Sequence, residues 1–296
     1  MKVFDTFTYF NEDLILDIRL NQLNEFVDKF VIVESIFTHS GERKKLNFDI
    51  KSFKKFSDKI IYVVLDDKPN NYLSISSDES KESITRKKIV NALILENYQR
   101  NGIQKGIVEA DENDLILISD VDEIPKLHSI NFNFIGNNLI FFIQYFFHYK
   151  LNLYLKGLEH FGTKGCLKKN LISPQWIRNI KNKKYSSLRF DTIFSKKKYR
   201  NIQIINDGGW HFSNILSAEQ IVYKMKSYLH HADFPEKLLS HNLFEELIRE
   251  RKIMYDHAAD KGADKYSIKK DLDLLDEKFL PSYLKINKEK FTKWMV

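Results

Sequence analysis

Three short, uninterrupted apolar runs constrain this chain more than any other feature: Phe30-Val31-Ile32-Val33, Ile60-Ile61-Tyr62-Val63-Val64-Leu65 and Leu115-Ile116-Leu117-Ile118. A strand with one face in water alternates apolar and polar residues. A run that does not alternate is buried on both faces, as in a parallel sheet covered by helices. The intervening segments have helical spacing. Leu16, Leu20, Leu23 and Val27 share a face, with Asn11 placed to cap the helix and Glu12 and Asp13 at its positive start. Glu79 to Arg100 reads as a second helix with Ile89, Leu93 and Asn97 on one side. Val3-Phe4 opens a strand ahead of both. The polar stretch from Asp66 to Ser80, with Pro69 and no periodicity, is expected to be a mobile loop. The fold class that follows is α/β, with a mostly parallel central sheet flanked by helices.

The second half has a different pattern. Leu139 to Leu155 is expected to form one or two strands and Ile202 to Ile205 another. Ser217-Ala218-Glu219-Gln220 is a capping-box pattern ahead of Val222, Met225 and Leu229. Leu238 to Asp260 reads as a further helix closed by Gly262, and Pro281 begins an extended tail. No linker divides the chain, so residues 1–296 are expected to be one domain.

The net charge is +7, with basic clusters at Arg43-Lys44-Lys45, Lys181 to Lys184 and Lys196-Lys197-Lys198. Most of this is solvated surface, and what remains can attract an anion such as a nucleotide diphosphate or a membrane surface. No nucleic-acid motif accompanies the clusters, so nucleic acid is not an expected partner. Cys166 is the sole cysteine, which excludes an intramolecular disulfide and suits a reducing compartment. The longest apolar stretch, Leu139 to Phe147, is too short to span a bilayer, and the chain opens without a signal peptide. A cytoplasmic protein is expected, with peripheral association at the inner face of the membrane left open by the charge.

Ser119-Asp120-Val121-Asp122-Glu123-Ile124-Pro125 follows directly on the third apolar run. Ligands of open α/β sheets bind beyond the carboxyl ends of strands. Two carboxylates one residue apart at such an end can reach one hard cation, Mn²⁺ or Mg²⁺, shared with phosphate oxygens. That cation would neutralise a diphosphate leaving group. Asp-x-Asp also occurs by chance in turns and caps, so the pair alone does not decide.

The ordered series of motifs is more specific. Phe4-Asp5-Thr6-Phe7-Thr8-Tyr9-Phe10-Asn11-Glu12 is followed by Ile18-Arg19-Leu20-Asn21, Val27 to Ser35, Thr38-His39-Ser40-Gly41 and Lys59 to Val63. Then come Ile118 to Pro125 and Gly208-Gly209-Trp210-His211-Phe212-Ser213. This series resembles glycosyltransferase family 17 over nearly the whole chain, in the manner of its soluble microbial members. The resemblance implies a GT-A-like nucleotide-sugar fold with a helical C-terminal part. It assigns residues 1–125 to a nucleotide-binding half, and 126–296 to an acceptor-binding half with the C-terminal helices. It also implies inverting, metal-dependent transfer of GlcNAc from UDP-GlcNAc to a glycan or glycolipid hydroxyl. The alternatives are another donor (UDP-Glc, UDP-Gal or a GDP-sugar) or a non-catalytic glycan-binding protein.

The roles implied are these. Asp120 and Asp122 hold the metal, and His211 approaches it or serves as a structural histidine beside Trp210. Asp5, Thr6 and Glu34, at strand ends, contact uracil and ribose, with capping and turn formation as the plain reading of Thr6. Arg86 either reaches the diphosphate or makes a surface ion pair with Glu82. Trp210, Tyr145 and Tyr149 stack on sugar faces or fill the core. Gly208-Gly209 lets the backbone approach a ligand. An inverting transfer needs a general base: Asp207 is the first candidate and Glu123 the second, with Asp191 and Glu159 open.

Overall fold

The computed structural model describes residues 1–130, 135–136, 138–182, 195, 201–227, 240–254 and 269–296. Its strands are β1 (Val3–Thr8), β2 (Lys29–Ser35), β3 (Ile60–Leu65), β4 (Leu115–Asp120), β5 (Glu123–Pro125), β6 (Leu139–His148), β7 (Leu153–Tyr154), β8 (His160–Leu167), β9 (Ile202–Ile205), β10 (Gly209–Ser213), β11 (Lys252–Ile253), β12 (Lys270–Asp271) and β13 (Asp273–Leu274). The helices are α1 (Asp13–Leu23), α2 (Lys81–Asn101), α3 (Ile103–Gly106), α4 (Pro174–Asn179), α5 (Ala218–Ser227), α6 (His241–Glu250), α7 (Ser282–Ile286) and α8 (Lys288–Phe291). Among the described residues no helix is long and apolar enough to cross a membrane.

The three apolar runs are β2, β3 and β4, and with β1 they form a parallel set in the order β3-β2-β1-β4. Both faces of β1, β2 and β4 are covered, whereas β3, at the sheet edge, leaves Val64 exposed. Phe30, Ile32, Leu115 and Leu117 enter a core beneath α1 and the C-terminal helices, whereas Val31, Val33, Ile116 and Ile118 enter a second core with Ile103 and Ile177 of α3 and α4. Beyond β4 the sheet turns mixed: β8 is antiparallel to β4, β6 antiparallel to β8, and β9 and β10 parallel to β6. The chain therefore moves from β1 to one side through β2 and to the other through β4. That reversal opens a crevice at the strand ends. In register, Thr8 at the end of β1 faces Asp120 at the end of β4.

Several local expectations are met and others corrected. The Ser217 box forms as the pattern requires: Gln220 Oε1 accepts from Ser217 N at 3.0 Å, and Ser217 Oγ accepts from Gln220 N at 3.3 Å. Residues 66–80 contain no helix or strand, and two 2.8 Å hydrogen bonds between Asn91 and the Leu73 backbone tie them to α2. Asn11 does not cap α1. Glu12 occupies that position, and its side chain turns back to accept from Phe10 N and Asn11 N. The helix expected from Leu238 to Asp260 is α6, which stops at Glu250. Arg251 there adopts the left-handed conformation (φ 55°), and the next two residues pair as β11 with β12. Leu238, Asp260 and Gly262 lie outside the described residues. The tail after Pro281 is helical rather than extended, because Leu284 and Phe291 are buried in the core beside α1.

Gly208 and Gly209 allow backbone to approach backbone instead of a ligand. Gly209 has φ 131°, and a Cβ there would stand 2.1 Å from the Ile124 carbonyl oxygen of the paired strand β5. We predict that Gly209→Ala destabilises the protein by about 2–3 kcal/mol, read as a lowered denaturant midpoint with unchanged slope. An unaltered midpoint would show that β5 and β10 can separate freely.

Candidate functional site

The site is built on a buried arginine. Arg19, on α1, is wholly inaccessible to solvent and holds Asp5 of β1 through two hydrogen bonds of 2.6 and 2.7 Å. The same guanidinium donates to Ser119 Oγ at 2.9 Å and to the carbonyls of Asp120, Val121 and Glu123 at 3.1, 3.1 and 2.8 Å. It also lies 4.4 Å from the centre of the Phe7 ring. The turn carrying the acidic residues is thus clamped from behind.

Asp120 and Asp122 point forward, Glu123 lies behind them, and each of the three carboxylates meets cations. Asp120 accepts from Arg100 of α2 at 2.9 Å and from Arg178 of α4 at 3.3 Å. Glu123 accepts from both terminal nitrogens of Arg178 at 2.7 and 2.9 Å, lies 3.1 Å from His160 Nε2, and receives the Asp120 amide at 2.9 Å. Asp122 faces His211 Nε2 at 3.5 Å and Lys224 of α5 at 4.0 Å, and Lys224 also reaches Glu12 at 3.0 Å. Burial alone would raise Glu123, but Arg178 and His160 override it and hold its carboxyl well below the usual range. Burial likewise opposes the charged forms of Asp122 and His211, yet each stabilises the other, lowering the carboxyl and raising the imidazole. Lys164 of β8 caps the end of α4 by donating to the carbonyls of Arg178 and Ile180 at 2.8 and 2.6 Å. Burial and the neighbouring Arg178 push its ammonium down to about 7.

In front of this turn lies a cleft open to solvent. Asp120, Asp122, Arg100, Glu96, Glu12 and Lys224 line one part of it. Tyr9, Phe10, Phe37, Thr38, His39 and Gln99 line the part beside the ends of β1 and β2. His39 Nε2 is 3.0 Å from Gln99 Oε1, and burial lowers its pKa.

The structure brings only part of the expected set together. Asp120 and Asp122 line the cleft, with His211 and Glu123 directly behind them. Asp5 and Thr6 lie beneath the turn, Asp5 on Arg19 and Thr6 donating to the Leu117 carbonyl at 2.7 Å. Glu34 is buried, receiving the Asn47 and Phe48 amides at 2.8 and 3.1 Å, the Tyr62 hydroxyl at 2.8 Å and the Lys44 ammonium. Arg86 is 77% exposed and 3.8 Å from Glu82, a surface pair away from the cleft. Trp210 is in the core and donates its indole N–H to the Phe279 carbonyl at 2.6 Å. Tyr149 is buried, and Tyr145 packs on Tyr154 and Phe279. Asp207 pairs with Lys126 and does not line the cleft, nor does Glu159. Asp191 lies outside the described residues.

Arg100, Arg178, Lys224, Glu12 and Glu96 escaped the sequence reading as site residues. Arg100 and Glu96 sit in the last turns of a helix, where charge is ordinary. Lys224 did leave a signal, standing three residues after the buried Ile221 and so in phase with the apolar face of α5.

Among the described residues no three His, Cys, Asp or Glu side chains gather as a closed metal cage. A substrate-shared Mg²⁺ or Mn²⁺ does not need one, because such ions take one or two carboxylates and draw their other oxygens from phosphate and water. Asp120, a quarter exposed in the cleft, and Asp122 fit that donor set.

A doubly wound parallel half-sheet with an acidic, cation-lined cleft at its switch point is the architecture of an α/β ligand-binding enzyme. The sequence profile of glycosyltransferase family 17 matches residues 1–295, and the chain belongs to that family. The beta-1,4-mannosyl-glycoprotein 4-beta-N-acetylglucosaminyltransferase of Homo sapiens is 25% identical over 241 residues, which cover 75% of this chain and 42% of that protein. The proteins of the same name from Rattus norvegicus and Mus musculus are 25% and 24% identical, each over 75% of this chain and 41% of theirs. The match therefore spans less than half the length of these relatives.

Removing Arg19 would strand the buried Asp5 carboxylate. Arg19→Leu should cost about 3–5 kcal/mol, measured by denaturant unfolding. The double variant Asp5→Leu/Arg19→Leu should recover a good part of the loss. No recovery would mean that the carbonyl contacts, rather than the ion pair, carry the stability.

Proposed function

We propose that this chain transfers a sugar from a nucleotide-sugar donor to a glycan or glycolipid hydroxyl, with UDP-GlcNAc as donor and inversion to a β-linkage. The observation that carries the reading is the cleft at the switch point, where Asp120 and Asp122 stand beside Arg100 and Lys224. Family membership supports glycosyl transfer. The relatives, named as N-acetylglucosaminyltransferases, support GlcNAc. The parallel half-sheet ending at the cleft supports a GT-A-like arrangement, in which residues 1–125 form the nucleotide-binding half and 126–296 the acceptor-binding half.

In this mechanism the cleft holds a diphosphate through charge. Arg100 and Lys224, paired with Asp120, Glu12 and Asp122 before the donor arrives, exchange those carboxylates for phosphate oxygens. Asp120 and Asp122 would hold Mn²⁺ or Mg²⁺, which supplies Lewis-acid neutralisation of the leaving group. His211 orients Asp122 from behind, and Arg178 and His160 keep Glu123 ionised and fixed, so Glu123 buttresses the turn. The acceptor hydroxyl must lose a proton to a carboxylate at the cleft. Glu96 and Glu12 both line it. Glu12 is 8% exposed and held by Lys224 and two backbone amides, whereas Glu96 is 21% exposed and held by Arg100. We assign the base to Glu96 on this difference.

Titration calorimetry with UDP and GDP, each with and without Mn²⁺, tests the donor class. UDP binding strengthened by Mn²⁺ is expected, and absence of binding to either nucleotide would remove the transferase reading. Asp122→Asn should lower turnover by about a hundredfold or more while the thermal midpoint stays near that of the parent. Near-normal turnover would show that the metal is misplaced. Glu96→Gln should lower kcat by about 10²–10⁴ and abolish the acidic limb of the pH–rate profile. If Asp207→Asn abolishes that limb instead, the acceptor approaches from the Lys126 side.

A further inference from the structure

The cleft has two chemically distinct ends, and the proposed donor uses only one of them through charge. At the other end Phe10 lines the cleft just after β1. Its ring lies nearly parallel to that of Tyr223, with centroids 5.9 Å apart and planes 22° apart. Lys44 Nζ stands 5.3 Å from the centre of the Phe10 ring, and the Phe10 carbonyl accepts from the Asn47 side chain. Phe10 is thereby held against the segment that follows β2, on the side of the cleft away from β4. Tyr223 belongs to α5 and is 51% exposed. The next residue, Lys224, is buried and bonded to Glu12, which fixes that turn of α5 over the cleft.

We propose that the Phe10–Tyr223 aromatic pair is the nucleobase platform of this site, binding the base of a nucleoside diphosphate whose phosphates lie toward Arg100 and Lys224. This rests on the nucleotide-sugar reading above and deepens it. A nucleoside diphosphate has a planar aromatic end and a polyanionic end, joined by a ribose. The cleft presents the Phe10 ring, with Lys44 beside it, on the β2 side and the cations Arg100 and Lys224 beside the acidic turn. A flat base gains by stacking on an aromatic face whatever its hydrogen-bonding pattern, and the planar pair offers an edge and a face at the mouth. Residues 223 and 224, adjacent on one helix, would then serve both ends of one ligand: the ring for the base, the ammonium for the phosphates. An acceptor sugar is the competing occupant for an exposed aromatic. The position of Phe10 beside the β2 segment, opposite the acidic turn where transfer would take place, favours the base.

The test is equilibrium binding of UDP and of inorganic pyrophosphate, with Mn²⁺ present, to the parent chain and to Tyr223→Ala, Phe10→Leu and Tyr223→Phe. Tyr223→Ala and Phe10→Leu are expected to weaken UDP about tenfold and leave pyrophosphate within twofold, and Tyr223→Phe should retain parental affinity for both. Equal weakening of UDP and pyrophosphate by Tyr223→Ala would overturn the proposal, since the ring would then act only by placing Lys224. Unchanged UDP affinity, with a raised KM for acceptor alone, would overturn it in favour of sugar stacking. If the parent chain binds no UDP, the failure belongs to the nucleotide reading itself, and the binding of the parent chain distinguishes that outcome from the others.

Discussion

The Arg19 guanidinium is the interaction on which the rest of the site depends. Five strong donors in a planar fork can satisfy a carboxylate and several carbonyls at once, which no lysine could do. Here one fork joins α1, β1 and the turn after β4 by six hydrogen bonds of 2.6–3.1 Å. The turn from Asp120 to Glu123 is anchored by backbone pairing of Asp120 with Thr8, of Glu123 with His211, and by the Asp122 carbonyl accepting from Phe212 N at 2.8 Å. Arg19 takes three of its carbonyls, and the Glu123 side chain takes the Asp120 amide. A buried ion pair is a poor source of net stability, because desolvation offsets most of the attraction. Its value here is geometric: it fixes where two carboxylates point.

In front of the clamp, every acid at the turn is charge-matched. Arg100 and Arg178 meet Asp120, Arg178 and His160 meet Glu123, and His211 and Lys224 meet Asp122. Such matching keeps carboxylates ionised in a partly dry cleft, where isolated ones would take up protons.

The cleft also joins the two halves of the chain. The parallel strands supply Thr8, Asp120 and the loop after β2, while α5 from the second half supplies Lys224, with Tyr223 stacked on Phe10 beside it. β10 pairs with both β5 and β6, so His211 arrives behind Asp122 through backbone register and not through a flexible arm. Both halves of the sequence therefore contribute to one cleft.

The sequence by itself determined the parallel strands, because the non-alternating runs at β2 and β4 are stable when buried on both faces, though the like run at β3 lies at the sheet edge with Val64 exposed, and it determined that Asp120 and Asp122 stand at a strand end. It also placed the capping box at Ser217, since that motif is closed within four residues. It did not reveal what each buried polar group bonds to. Asp5, Thr6 and Glu34 sit at strand ends as expected, yet Arg19, the Leu117 carbonyl and the loop after β2 occupy their side chains. Arg86 and Arg100 share a helix, lie on nearly the same face and each follow a Glu by four residues, but they stand about 21 Å apart along the axis, and only the second reaches the cleft. The glycines before Trp210 signalled close approach, and tertiary structure decided that the approaching group was β5. Local pattern fixes periodicity and strand ends. Partners across 75 to 100 residues, such as Arg19 with Ser119 or Arg100 with Gln175, exist only once the chain has closed on itself.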